Sequence, residues 1–426
     1  MDLPVSRQTA DGIVDVGCIV DIEGLNPRFS YLPEYLTNPQ RGSLSLSLPL
    51  REAAFSEDEF RPYFEGLLPE GDERRALAAR LAVREDDYLA ILARCGIDCI
   101  GDVILNKQAY VESAAYRPIA LDRLHSNTAT PNPSARMQSE SRLSLAGTQS
   151  KVGLYHDDEE EFSEGWFQPL GGAPSNFIVK FAHDELPDLL TVEFLSLACA
   201  KACGLEVAET HLVNPAAPLL CSRRFDRKER AGGTIGGLPA PLRLHQEDFT
   251  QAMGLLPASK YAELEPSTAQ SVAEFMQMHF SAPGLARLAF ARLALFNYLI
   301  GNCDNHLKNF SILHSEDGRS FRLAPAYDIV STAYFARFSR QMGMAIGGTR
   351  DIDAVAPSDL AMLSKQMDVA PRLLHGVVEG FQSHAVPALR SEAEKLAALG
   401  FSAAPYIADD LESKLAPRMQ VLRESF

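Results

Sequence analysis

Three side chains in one stretch have the types and spacing for phosphoryl transfer. Asp304, Asn309 and Asp328 lie within residues 296–332, FNYLIGNCDNHLKNFSILHSEDGRSFRLAPAYDIVST. Protein kinases use a catalytic-loop Asp to accept a hydroxyl proton. An Asn five positions on, in D-x-x-x-x-N, and a later Asp hold Mg²⁺. Magnesium takes hard oxygen ligands and keeps several waters, so one carboxylate and one amide suffice from the protein. The competing reading is that all three are turn residues, since Asn and Asp favour turns.

Their placement favours the chemical reading. An apolar run, Leu288 to Ile300, ends abruptly in Gly-Asn-Cys-Asp-Asn-His. Two short apolar runs follow, Phe310 to Leu313 and Phe321 to Ala324, joined by a polar turn with Gly318. That pattern predicts a β-hairpin. Asp304 and Asn309 then stand at its entrance and Asp328 at its exit. Leu285 to Ile300 is apolar nearly all round, which predicts a buried helical spine that delivers Asp304.

Two further stretches can meet phosphates. In residues 142–154, Ala146, Gly147 and Thr148 are small residues between apolar strands. Successive backbone N–H groups in such a turn form an anion nest, and Lys151 adds a point charge. The sequence is neither G-x-G-x-x-G nor a Walker loop, so a plain hairpin turn competes. Lys180 lies in the short apolar strand Asn176 to Phe181, where kinases carry a phosphate-pairing lysine. Glu193, early in a helix from Leu190 to Cys203, is its candidate partner. An exposed strand face is the alternative for Lys180.

G-N-x-D-x-H-x-K-N-F-S-I followed by L-x-P-x-Y-D-I-x-S-T closely resembles the HipA family, bacterial serine/threonine kinases that act as toxins of toxin–antitoxin pairs. The resemblance extends over roughly residues 12–420. It includes S-x-A-G-x-Q-x-K at Ser144–Lys151, S-N-x-I-x-K ending at Lys180, R-F-D-R at Arg224–Arg227, and Q-E-D-x-x-Q at Gln246–Gln251. L-L-P-E-G at Leu67–Gly71 and G-x-D-C-x-G at Gly96–Gly101 match the family's N-terminal domain.

The resemblance implies an α+β, bilobal protein-kinase-like fold, with a β-rich N-terminal subdomain and a mostly helical C-terminal lobe. It implies ATP and Mg²⁺, with Asp304 as the base and Asn309 and Asp328 on the metal. ATP would be bound by Ala146, Gly147, Thr148, Gln149, Ser150, Lys151, Lys180, Arg223, Arg224, Phe225, His306, Leu307, Lys308, Asn309, Tyr327 and Asp328. The adenine would find backbone hydrogen bonds near Arg223–Phe225. The family often has an acid where Arg223 stands, which puts only a side-chain contact in question; a surface salt-bridge cluster is the competing reading of R-F-D-R. Ser144 matches an autophosphorylation site whose modification pushes the loop out. The implied partners are a HipB-like helix-turn-helix antitoxin, DNA only through that antitoxin, and a protein substrate such as an aminoacyl-tRNA synthetase. The kinase pattern alone leaves a small-molecule or lipid kinase open, and a non-catalytic antitoxin-binding co-repressor is a third reading.

The totals agree with a soluble enzyme. The chain has 426 residues, 46% hydrophobic and 23% charged, with a formal net charge of -16. So acidic a chain does not grip nucleic-acid phosphates as its main business. Seven cysteines among apolar residues read as reduced core thiols of a cytoplasmic protein. No leader and no membrane span are expected. Expected domains are 1–110 (N-terminal α+β), 111–228 (small lobe with phosphate loop and strand lysine) and 229–426 (helical large lobe with catalytic loop). Gly12 to Asp21, Arg28 to Tyr31 and the alternating Ser43 to Leu48 read as strands. Ser56 and Glu59 open the helices that follow as a capping box. The acidic run 156–165 reads as a solvated hairpin tip, and Arg230 to Leu238 as a loose hairpin.

Overall fold

The computed structural model describes residues 2–21, 26–96, 98–105, 107, 114–121, 124, 137, 149–183, 185–229 and 233–426. Ser144, Ala146, Gly147, Thr148 and most of the 125–140 stretch lie outside them. The chain forms two compact units. One comprises Met1–Ala182, Leu219–Pro257 and Ile312–Arg319; the other comprises His183–Pro218, Ala258–Ser311 and Ser320–Phe426.

The first unit is built on antiparallel sheets. Strands β1 (Asp2–Thr9), β2 (Gly12–Val20), β3 (Arg28–Tyr31) and β4 (Val103–Leu105) pair in the order β3-β2-β1-β4. The helices Glu57–Gly66, Gly71–Leu81 and Tyr88–Cys95 share a core with them, in which Phe29, Phe60, Tyr63 and Phe64 are fully buried. The Ser56–Glu59 box is present, with Glu59 accepting from the Ser56 N–H at 2.8 Å. Ser43–Leu48 is not a strand. It is a turn closed by a Ser45–Leu48 bridge, because the Ser45 hydroxyl and the Leu46 N–H both bind the buried Glu247 carboxylate. Its Ser/Leu alternation serves that carboxylate and two buried leucines, Leu44 and Leu48, rather than a sheet face.

The second sheet of this unit contains β5 (Ala115–Pro118), β6 (Lys151–His156), β7 (Trp166–Leu170) and β8 (Phe177–Phe181), with Leu219–Arg223 paired beyond β8. β6 and β7 flank the acidic run, pairing Tyr155 with Phe167 and His156 with Trp166. Thr234–Ile235 and Leu238–Pro239 pair around Gly236 and Gly237, as a hairpin does.

The second unit is mostly helical. The long helices Pro371–Ala398 and Ala404–Ser425 pack together and against Leu189–Ala202 and Pro283–Ile300. Proline opens the helices at Pro283, Pro357 and Pro371, where its missing N–H costs nothing. The helix Pro283–Ile300 is a buried spine only in its second half. Leu285 is 72% exposed, whereas Phe290, Ala291 and Ala294 to Ile300 are buried. In its first half Ala286, Arg287 and Leu288 are half-buried and Leu285 and Ala289 are exposed.

Candidate active site

The spine helix ends at Gly301, in the left-handed region at φ +83°. A Cβ there would stand 2.7 Å from the Ala333 Cβ and 2.8 Å from an Arg418 nitrogen, so glycine alone fits both the turn and the space. Asn302 then organises the exit. Its N–H donates to the Asn297 carbonyl at 2.8 Å, and its side-chain oxygen accepts from the Asp304 N–H at 2.9 Å.

The loop from Asp304 to Asn309 is closed on itself. The Asp304 carbonyl accepts from the His306 N–H at 2.9 Å and from the Asn309 side-chain amide at 2.7 Å. Leu307–Asn309 forms one 3-10 turn, with Leu307 and Lys308 buried. Because Nδ2 of Asn309 is committed, Oδ1 is the atom through which its amide can take a cation.

His306 is 5% exposed, and burial lowers its pKa below the ordinary 6.5 against the opposing charges of Asp304 and Asp328. Its Nε2 lies 3.7 Å from Asp304 Oδ1, while its buried Nδ1 has no hydrogen-bond partner among the described residues. Asp304 and Asp328 thus both act on one imidazole.

The hairpin forms from Ser311–His314 and Phe321–Leu323, and the Ala324 N–H returns to the Ser311 carbonyl at 2.9 Å. Tyr327 ties its exit to the loop. The phenol donates to the Lys308 carbonyl at 2.9 Å, which leaves the Ser311 hydroxyl to donate to the phenol oxygen at 2.6 Å. Ala326 is held by a parallel bridge to Val207. Asp328 follows at φ +56°, a left-handed backbone that costs a non-glycine residue about 1 kcal/mol. Beyond it, Thr332 Oγ1 accepts from the Cys303 N–H at 2.7 Å, and the Ala333 N–H donates to the Gly301 carbonyl at 2.9 Å. Asp304, His306, Leu307, Lys308, Asn309, Tyr327 and Asp328 therefore belong to one hydrogen-bonded loop pair. One neighbour, Tyr261, is invisible in the motifs: its hydroxyl donates to Asp304 Oδ1 at 2.5 Å. Nothing in the sequence around it signals this, because it stands far upstream in an unpatterned turn.

The first unit holds the remaining described candidates. Lys151 on β6 pairs directly opposite Lys180 on β8, so two ammonium stems share one face of the sheet. The Ser150 carbonyl accepts from the Phe181 N–H at 3.2 Å, and Gln149 precedes it half-buried. The R-F-D-R segment is an ion cluster, buried rather than on the surface. Arg224 is 3% exposed; it grips Asp226 through Nε at 2.9 Å and Nη2 at 2.7 Å, and its N–H donates to the Asn176 carbonyl at 2.9 Å. Arg223 makes a two-pronged ion pair with Asp158 at 2.8 and 3.0 Å.

Several sequence landmarks are structural. Asp98 of Gly96–Gly101 accepts from Arg227 and from the Ser175 hydroxyl, each at 2.8 Å, and forms an ion pair with Arg243 at 3.0 Å. Asn176 exchanges two hydrogen bonds with the His156 backbone, each 2.8 Å. Glu247 binds Ser45, Leu46 and His314, and Asp248 caps the helix Phe249–Ala252.

Family models for the HipA N-terminal domain and the HipA-like C-terminal domain match residues 14–106 and 143–388. A protein of Sinorhizobium fredii named putative kinase Y4mE is 35% identical over 330 residues, 75% of each chain. The serine/threonine-protein kinase toxin HipA of Shewanella oneidensis is 28% identical over 347 residues, 78% of this chain and 76% of that one. The fold is that of HipA in the Shewanella oneidensis complex of HipA, HipB and operator DNA, with a TM-score of 0.77 at 23% identity over 99% of both chains.

Proposed function

The chain belongs to the HipA family, and from that premise we propose that it is an ATP- and Mg²⁺-dependent serine/threonine protein kinase, the toxin of a toxin–antitoxin pair. One observation carries this reading. The loop bearing Asp304 and Asn309 and the segment bearing Asp328 are tied by Cys303–Thr332, Gly301–Ala333 and Lys308–Tyr327 hydrogen bonds. Turn residues with no common task have no need of three such ties.

In the reaction, a serine or threonine oxygen bonds the γ-phosphorus of ATP, the bond to the β–γ bridging oxygen breaks, and ADP leaves. Asp304 orients the acceptor hydroxyl and receives its proton. Asn309 and Asp328 supply hard oxygens that suit magnesium, which when bound neutralises phosphate charge. Lys151, Lys180 and the 146–150 loop hold the phosphates, and Lys308 stands near the group in transfer. Catalysis is chiefly positioning and charge neutralisation. Ser144 is the autophosphorylation site of this reading. Residues 1–110, 111–228 and 229–426 are its N-terminal domain, small lobe and large lobe.

The relative solved with HipB and operator DNA supports a HipB-like helix-turn-helix partner here, with DNA reached through it. The net charge of -16 agrees with indirect DNA contact. A translation protein such as an aminoacyl-tRNA synthetase is the proposed substrate, in the cytoplasm. Among the described residues no helix is long and apolar enough to cross a membrane.

Radiolabelled ATP tests the reading. Asp304→Ala abolishes protein labelling with an unchanged thermal melt, and induction of the wild type, not of Asp304→Ala, arrests growth. Undiminished labelling by the variant refutes it.

A further inference from the structure

We propose that the phenol of Tyr261 occupies the acceptor-hydroxyl subsite, so that an incoming serine or threonine must displace it. The inference rests on reading Asp304 as the base. A base must stand within hydrogen-bond reach of the hydroxyl it serves. The hydroxyl in that position is the one on Tyr261, 2.5 Å from Asp304 Oδ1.

The contact is built rather than incidental. The Tyr261 ring packs edge-on against His306 of the same loop, with centroids 4.9 Å apart and planes at 78°. Arg350 pins the segment, donating to the Tyr261 carbonyl at 2.8 Å and to Glu263 at 3.2 Å. The Lys260 ammonium lies 5.4 Å from the ring centroid. Yet Tyr261 is 46% exposed, so its side chain can rotate toward solvent at the cost of its contact with His306. Its backbone is anchored and its tip is replaceable, as a gate on the acceptor position requires.

The consequence is selectivity against water and loose hydroxyls. A hydrogen bond to a carboxylate is among the stronger kinds. An acceptor that replaces it must bring contacts of its own, which a docked protein has and water lacks. Tyr261→Phe keeps the ring on His306 but leaves Asp304 Oδ1 open.

The test uses the full chain with Mg–ATP and no protein acceptor, measuring ADP formation with water as acceptor, for wild type, Tyr261→Phe and Asp304→Asn. A parallel series titrates dephosphorylated casein. Tyr261→Phe is expected to hydrolyse ATP about tenfold faster than wild type and to lower the casein KM with kcat unchanged. Asp304→Asn loses both activities. Hydrolysis by Tyr261→Phe at or below the wild-type rate, with Asp304→Asn inactive, overturns the gate and leaves Asp304 as base. Asp304→Asn as active as wild type overturns the base assignment and the gate with it.

Discussion

The side-chain amide of Asn309 donates to the backbone carbonyl of Asp304 at 2.7 Å, so the two residues of D-x-x-x-x-N are joined before any ligand arrives. That bond fixes which end of the amide is presented to a cation. Asn309→Asp keeps the shape but sets a carboxylate oxygen against the Asp304 carbonyl, and the loop must open to separate them. A displacement of about 1 Å in such a site costs on the order of a hundredfold in rate. The expected result is at least that loss in kcat for phosphoryl transfer, measured with saturating ATP, while the far-ultraviolet spectrum stays unchanged.

Thr332 performs the equivalent service at the other end of the loop. Its hydroxyl accepts from the buried Cys303 N–H at 2.7 Å and reaches the Gly301 carbonyl at 3.3 Å. Thr332→Val preserves volume and strands that N–H. Leaving a buried donor unsatisfied costs about 1–3 kcal/mol. We expect a lower melting temperature for the second unit and a fall in kcat, while Thr332→Ser retains both. Unchanged melting and rate in Thr332→Val would show that the clamp is idle.

Much of this site is legible in the sequence, because it is made of neighbours in the chain. The apolar run that stops at Gly301, the hairpin and the Asp328 exit all follow from local patterning, and so does the Ser56–Glu59 box. Partners far apart in sequence were not legible. Asp98 is joined to Arg227 and Arg243, and Glu247 to Ser45, and no periodicity encodes such pairs. The alternation in Ser43–Leu48 has the same origin: Ser45 answers a carboxylate two hundred residues away, and Ser47 the Gln251 carbonyl. Tyr261 is illegible in the sequence because a turn tyrosine carries no signal until the carboxylate it touches, Asp304, is in place.

The buried cluster around Asp98 sets an acid limit on stability. Burial opposes the charged form of Asp98, but Arg243, Arg227 and Arg224 outweigh it and hold the carboxyl well below its ordinary 3.8. Burial and the neighbouring Arg224 pull Arg227 down to about 10. A carboxylate depressed on folding stabilises the protein above its unfolded pKa and loses that contribution as pH falls through the folded value. The stability due to Asp98 is therefore constant through the neutral range and declines below about pH 4. Asp98→Asn is expected to cost about 3–5 kcal/mol at pH 7, the range for breaking a buried pair, and to flatten the acid limb. Thermal melts of both proteins from pH 3 to 8 check this; parallel curves would sink it.

Gly343 joins the Asp304–Asn309 loop to the strand Gln341–Ile346, and its size matters more than its flexibility. Its N–H donates to the Cys303 carbonyl at 2.7 Å, and a Cβ at this position would stand 2.7 Å from the His306 nitrogen and 3.0 Å from its Cα. These are backbone atoms that no rotamer change can withdraw. Gly343→Ala must therefore push the strand and the loop apart by several tenths of an ångström, at a cost of about 1–3 kcal/mol for overpacking. The strand is paired with Thr349–Asp351, and the Met344 N–H beside Gly343 donates to the Asn305 side-chain oxygen of the loop at 3.2 Å, so the displacement is passed directly to the loop. Strain of this kind moves His306 and Asp304 before it unfolds the unit. The variant should thus remain folded, with a modestly lowered melting temperature, and lose phosphoryl transfer by about a hundredfold. Full activity in a folded Gly343→Ala would mean that the loop tolerates the displacement and that its rigid seat on this strand contributes nothing to the chemistry.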